Sequence, residues 1–192
     1  MQCQPSFSFN ATADWITTGG RTPNANRKAE IMTRNASLYG IGALAAIWGI
    51  TTIFPDFLGL QSAYGANLLG GHIMLDATKA ARQIKALNIP NPQIILSGYS
   101  GGAMVAGYAA SMAPTYAPNL NIVGLAAGGM PVDMVWMGKA LGNNRNAGFG
   151  IAMGSMIGME REYPDRMNVY DRLSKHGKQI VDANRDACTP RM

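Results

Sequence analysis

Charge is scarce in this sequence: Asp, Glu, Lys and Arg make up 14% of its 192 residues, while 47% are hydrophobic. That balance excludes a disordered chain and suits one compact domain with a real core. The 16 basic residues exceed the 11 acidic ones, for a formal net charge of +5. They are scattered, and acids interleave with them, as in Glu160-Arg161-Glu162 and Asp165-Arg166. No basic stripe with interleaved aromatics exists, so no nucleic-acid partner is expected. Cysteine is nearly absent. Cys3 and Cys188 stand near the two ends, with no CxxC and no Cys/His cluster. A structural metal is not expected, and the pair is consistent with one disulfide.

No hydrophobic run is long enough to be a comfortable membrane span. Leu38 to Phe54 carries no charge, yet its 17 residues sit at the lower edge of the ~17–25 a spanning helix needs. Gly40, Gly42, Gly49, Thr51 and Thr52 weaken it further, and a buried helix turning into a buried strand is the better reading. Residues 1–15 lack the basic start and apolar run of a signal peptide. Either the protein is not secreted or the chain does not begin where its gene product begins. Two N-x-S/T triplets, at Asn10 and Asn35, would accept glycans in a secretory compartment.

What is present is a strand-helix alternation. Residues 1–28 read as loop and 29–48 as a helix that Gly49 breaks. Ile50 to Phe54 is β-branched and apolar, a strand. Gly59 to Gly71 reads as loop and 71–87 as a helix, with Ile73, Ala77, Ala80, Ala81, Ile84 and Leu87 on its apolar face. Ile94-Ile95-Leu96 is a strand, and 102–112 a helix with Met104, Val105, Tyr108 and Met112 on one face. Pro114 to Asn119 is loop, and Ile122 to Ala126 a third strand. This order predicts an α/β fold of parallel strands with flanking helices over 1–131. After Pro131 no strand is expected. Residues 132–192 read as a small helical subdomain, with Met153, Met156 and Met159 recurring every three residues.

Gly98-Tyr99-Ser100-Gly101-Gly102 matches G-x-S-x-G. It follows a predicted strand and opens a predicted helix, the context a nucleophile elbow requires. The turn forces the serine into a strained conformation, so its flanks must be small. Ser100 is the candidate nucleophile, exposed at the carboxyl edge of the strands. The Gly101 N–H is a candidate oxyanion-hole donor at a helix start. The competing reading is a glycine-rich turn with an ordinary serine that binds phosphate. Such a loop would want Gly-Lys-Ser/Thr or G-x-G-x-x-G, and neither is present.

A nucleophilic serine needs a base, and the chain has two histidines. His176 follows Ser100, as α/β-hydrolase order demands, but lies in the charged stretch Ser174 to Lys178. His72 precedes it, at the head of the 71–87 helix, where it is either a capping or packing residue or a group near the elbow.

Ser97 to Ala103, followed by Pro114 to Gly124, resembles the fungal-type secretory lipase family. Cys3 to Phe9, Pro55 to Gly59, Leu75 to Ala77, Gly128 to Val132 and the segment ending at Glu162-Tyr163-Pro164 agree with it. The resemblance implies the central part of an α/β-hydrolase core over 1–131 and part of a helical cap over 132–192. It implies hydrolysis of carboxylic esters, acylglycerols in particular, through an acyl-serine intermediate, by a secreted protein working near a lipid–water interface. It also implies a Cys3–Cys188 disulfide and no metal or organic cofactor. The Met-rich segment would either line the acyl site or pack the cap. In that family the catalytic acid and histidine lie beyond the region matching Cys188, and a second oxyanion donor lies before Cys3. The chain by itself is therefore expected to hydrolyse esters poorly. Two other readings stay open: a peptidase or acyltransferase on the same fold, and a lipid-binding remnant without catalysis.

Overall fold

The computed structural model describes residues 47–59, 61–89, 91–142, 146 and 148–184. Contacts divide them into two compact units. One comprises residues 47–57 with Asn67–Met130, and the other Leu58–Ala66 with the residues from Pro131 onward.

The first unit is built as helix, strand, helix, strand. Helix α1 spans Asn67–Arg82 and is followed by a 3-10 turn, Lys85–Leu87, which Asn88 closes in the left-handed conformation at φ 48°. Strand β1 is Ile94–Tyr99, α2 is Gly101–Tyr116 and β2 is Ile122–Gly128. The two strands pair in parallel, from Ile94 opposite Ile122 to Tyr99 opposite Gly128, with one irregularity after Ile94. This is the α/β arrangement expected of the sequence, with α2 as the crossover between parallel neighbours.

Several boundaries differ from the sequence reading. Residues 50–54 do not form a strand; only Phe54 makes a single bridge, and Ile50 is half exposed. Gly49, at φ +73°, turns the chain just before them. A β-branched run becomes a strand only where a neighbour supplies a ladder, and composition does not reveal that neighbour. The helix read over 29–48 lies outside the described residues but for its last two.

The segment read as loop up to Gly71 contains the first turn of α1, and the true packing face differs from the one expected. Gly71, Met74, Leu75, Thr78 and Ala81 are buried, while Ile84 is 52% exposed. These five keep helical spacing, but Gly and Thr do not register as apolar. Thr78 satisfies its hydroxyl on the Met74 carbonyl at 2.8 Å, which lets it enter the core. The glycines bring α1 close to α2. A Cβ at Gly70 would come within 2.8 Å of Val105, and one at Gly71 within 3.1 Å of the Ala109 amide nitrogen.

Helix α2 runs through Pro114 rather than stopping before it. A proline three residues from the end forfeits one hydrogen bond, and the last turn survives. Its buried face is Gly102, Val105, Ala106, Ala109 and Ala113, while Tyr108 and Met112 sit at the rim. Small residues at i, i+3, i+4 and i+7 let the helix lie close to both the sheet and α1. Met74, Leu75, Leu96 and Val105 are the large side chains wholly withdrawn from solvent.

In the second unit the described residues from Pro131 onward form helices joined by turns, and those of 58–66 form turns. Helix α3 is Met134–Leu141, α4 is Gly148–Glu162, α5 is Pro164–Met167 and α6 is Lys175–Asn184. Asp133 caps α3 by accepting from the Trp136 N–H at 2.7 Å. Helix α4 lies on the turn at 58–66. A Cβ at Gly158 would fall on the backbone of Tyr64, and Arg161 donates to the Gln61 carbonyl at 3.1 Å. Beyond α4, Glu160 Oε1 accepts from the N–H groups of Val169 at 2.7 Å and Tyr170 at 3.2 Å. The Tyr170 hydroxyl then donates to Asp182 at 2.8 Å, joining α6 to the 3-10 turn Tyr170–Arg172. Met153, Met156 and Met159 are half-buried, and Met159 lies against Gly65. Among the described residues no helix is long and apolar enough to cross a membrane.

Candidate active site

The chain turns sharply at Ser100, between β1 and α2. Its backbone adopts φ 54° and ψ −121°. This lies close to the first central position of a type II′ turn, a region that glycine occupies freely and other residues enter at a cost of about 1–3 kcal/mol. The chain can take the turn because its flanks are bare. A Cβ at Gly98 would overlap the carbonyl of Gly102 and reach within 2.6 Å of the Ala103 nitrogen. Strand and helix approach so closely that only glycine fits at Gly98.

The turn is pinned on both sides. The Ser100 N–H donates to the Gly128 carbonyl at 2.9 Å, and the Ser100 carbonyl accepts from the Met104 N–H at 3.2 Å. Ser100 thus occupies the N-cap position of α2, where a serine hydroxyl ordinarily accepts from the first helical turn. Here it makes no capping hydrogen bond. The side chain is half-buried and carries no capping duty, while Gly101 and Gly102 behind it are buried. The Gly101 N–H belongs to the first helical turn, whose N–H groups have no intrahelical acceptor. Strained serine, unused hydroxyl, unpaired helix-start amides and favourable helix dipole converge on one point.

Tyr99 completes the rim. It is 54% exposed, and its ring lies over Gly128 and Gly129, close enough that a Cβ at Gly129 would meet the ring at 2.9 Å. Gly129 has φ +56°, so the chain leaves β2 through a turn that doubles as a seat for the tyrosine. Sequence reasoning placed Tyr99 in the motif but missed this partner; the Gly128-Gly129 pair was the available signal.

The structure separates His72 from this point. Its ring packs edge-on against Tyr116, with centroids 4.5 Å apart. Tyr116 ends α2, and Ser100 precedes it. A helix of 16 residues puts those ends roughly 22 Å apart along the axis. A base must stand within about 3 Å of the proton it takes, so His72 is a packing residue here. The shared early position of His72 in α1 gave no hint that this turn faces the far end of α2. His176 is exposed in the first turn of α6. Cys3 and Cys188 lie outside the described residues. Among the described residues no group of three or more His, Cys, Asp or Glu is disposed to hold a metal.

Around Tyr116 a second polar cluster closes the far end. Its hydroxyl donates to Asp76 at 2.8 Å, while Lys79 donates to the other Asp76 oxygen at 3.1 Å and stands 3.9 Å from the ring centroid. The hydrogen bond to Asp76 is the main reason the phenol titrates above its ordinary range; desolvation and the carboxylate charge add to it, and Lys79 opposes.

Comparison with known proteins identifies the family. The family profile described as secretory lipase matches residues 28–191. A secreted triacylglycerol lipase of Malassezia globosa is 33% identical over 192 residues, covering 98% of this chain and 31% of its own length. Another from Malassezia restricta is 36% identical over 143 residues, 73% of this chain and 30% of its own. Among solved structures, lipase A of Candida antarctica superposes with a TM-score of 0.66 at 29% identity, covering 77% of this chain and 34% of that one. The chain thus spans about a third of the length of the curated relatives it matches. A profile match over most of the sequence and a shared α/β-hydrolase framework lead to one assignment: the chain belongs to the secretory lipase family.

Proposed function

We propose that this chain is the nucleophile-bearing part of a secreted carboxylic ester hydrolase acting on acylglycerols, with residues 1–131 in its core and 132–192 in its cap. The observation that carries this reading is Ser100, held at positive φ between β1 and α2 with its hydroxyl unused by the helix cap. The relatives are named secreted triacylglycerol lipases, which supports the substrate class and the location.

In this reading Ser100 Oγ attacks the ester carbonyl carbon as a base removes its proton. The carbonyl oxygen, now negative, is met by the Gly101 N–H at the start of α2. Collapse of the tetrahedral adduct expels the alcohol, which takes the proton, and leaves an acyl-serine. Water then attacks the acyl carbon, and the fatty acid departs as Ser100 recovers its proton. The base is not His72, which serves the opposite end of α2. We assign the base, the orienting acid and the second oxyanion donor to parts of a family-length protein outside the described residues.

The test is fluorophosphonate labelling of a protein of the relatives' length that carries these residues, with Ser100→Ala as control. Labelling demands an activated serine but no particular substrate. Labelling that Ser100→Ala abolishes supports the assignment. A folded protein that labels equally with and without Ser100, or not at all, overturns it.

A further inference from the structure

Three contacts converge where β2 ends. Tyr99 and Gly128 stand directly opposite each other in the parallel ladder. The Tyr99 ring leans across that pair and along the exit of β2. A Cβ at Gly128 would meet its Cδ2 at 3.0 Å, and one at Gly129 would meet its Cζ at 2.9 Å and its hydroxyl oxygen at 3.2 Å. One residue further, Met130 reaches α2, where a Cβ at Gly107 would meet the Met130 Cε at 3.1 Å. The stretch Gly128–Met130 is thus held at one end by a ring and at the other by a thioether.

The strand needs such holding. It ends in Ala126-Ala127-Gly128-Gly129, which brings little side chain of its own. The last rung of a ladder opens more readily than the inner ones. An aromatic ring laid over a facing glycine covers the bare backbone and steadies the pair. The carbonyl steadied here is the one on which the turn depends. Gly128 accepts from the Ser100 N–H at 2.9 Å, and Ser100 holds φ 54° against its own preference. A Gly128 carbonyl free to drift would let the turn relax. Ser100 Oγ and the Gly101 N–H would then swing together, because they belong to adjacent residues. A misplacement of about 1 Å at a reacting centre can cost on the order of a hundredfold in rate.

We propose that Tyr99 is a positioning residue: its ring clamps Gly128 and Gly129, and the Gly128 carbonyl so held fixes the direction of Ser100 Oγ and of the Gly101 N–H. The catalytic meaning of the clamp rests on the ester-hydrolase reading, and its physical content does not. The flat ring is what the clamp requires, since ring carbons make its shortest approaches to the glycine backbone. The Gly128-Gly129 pair is the other half of the device, because a side chain at either position would push the ring away.

The experiment compares Tyr99→Ala with Tyr99→Phe in the family-length protein. Hydrogen exchange at the Ser100 amide reads the clamp without any ester chemistry. It should quicken more than about tenfold in Tyr99→Ala and stay at the wild-type rate in Tyr99→Phe. The rate of fluorophosphonate labelling, with kcat and KM for p-nitrophenyl butyrate, reads the consequence. Tyr99→Ala should lower the labelling rate and kcat about tenfold while KM stays within about twofold, and Tyr99→Phe should restore both. Should Tyr99→Ala not fold, Tyr99→Leu, which keeps apolar bulk without a flat ring, takes its place. Unchanged exchange at the Ser100 amide in the ring-less variant overturns the proposal. So does a lower melting temperature with an unchanged labelling rate per folded molecule, which a merely structural tyrosine would give. A loss confined to KM would make Tyr99 a substrate contact instead, and a Tyr99→Phe variant as slow as Tyr99→Ala would put the effect in the hydroxyl; either overturns the clamp. Failure of the wild type to label defeats the hydrolase reading alone, and the exchange measurement still decides the clamp.

Discussion

The amide of Ser100 donates to the carbonyl of Gly128 across 2.9 Å, so the turn that strains the serine is tied to the last residue of the neighbouring strand. The strain is thereby held by pairing that continues the parallel ladder beyond Tyr99. A residue with a Cβ at φ 54° costs about 1–3 kcal/mol that glycine avoids. Ser100→Gly is therefore expected to be more stable than Ser100→Ala by about 1 kcal/mol, after the extra backbone freedom of unfolded glycine is subtracted. Urea denaturation of the two variants measures this. Equal stabilities would mean that the turn is not strained.

Gly98 sets how closely β1 and α2 can pass. Gly98→Ala must push its new methyl into the Gly102 carbonyl, which is backbone and cannot rotate aside. The expected cost is about 1–3 kcal/mol or more, together with loss of Ser100 labelling in the family-length protein. Gly138, whose Cβ would meet nothing within 4 Å, is the matched control. Gly138→Ala in α3 should stabilise slightly, because alanine favours helix by about 1 kcal/mol over glycine. A thermal melt of each separates the effects.

The elbow was legible in the sequence because its determinants are local. A strand, a turn that only small residues permit and a helix start all lie between Ile94 and Gly102. The packing face of α1 was not legible. It is built from Gly71 and Thr78 as much as from Met74 and Leu75, and their suitability depends on the Val105 and Ala109 side of α2. The run at 50–54 has strand composition but finds only one bridge, because pairing is decided by a neighbour distant in sequence. The site of His72 was ambiguous for the same reason. Its position early in α1 is local information, whereas its contact with Tyr116, 44 residues on, is tertiary.

His72→Ala is expected to leave Ser100 labelling in the family-length protein unchanged and to destabilise the chain by about 0.5–1.5 kcal/mol, the usual worth of an edge-on ring pair. A loss of labelling in a folded His72→Ala variant would return His72 to the catalytic site.

In the second unit, Glu160 is the joint between α4 and the turn that follows. One carboxylate oxygen serves two backbone N–H groups, those of Val169 and Tyr170, in a partly buried setting. Glu160→Ala leaves both donors unpaired and should cost about 1–3 kcal/mol. Glu160→Gln keeps an acceptor at the same place and should cost less, because it gives up only the charge assistance. Hydrogen exchange at Val169 and Tyr170 checks the cause: both amides should exchange faster in Glu160→Ala and stay protected in Glu160→Gln.

Tyr116 gives the alkaline side of stability a specific origin. Its hydroxyl donates to Asp76, so the protonated phenol is the form the fold prefers, and its titration moves above the ordinary value near 10. A group that holds its proton more tightly when folded stabilises the fold fully at pH below its unfolded pKa. That contribution is lost as pH climbs through the higher folded value. Above it, phenolate and carboxylate would face each other, with Lys79 close to both. The link spans α1 and the end of α2, so its loss should loosen those two helices before the strands. Tyr116→Phe removes the donor and the titration together while keeping the His72 ring contact. The melting temperature of wild type should therefore fall more steeply than that of Tyr116→Phe as pH rises past 10. Near neutrality wild type should be the more stable of the two. Parallel curves would show that the exposed Tyr116–Asp76 bond is too well solvated to matter to the fold.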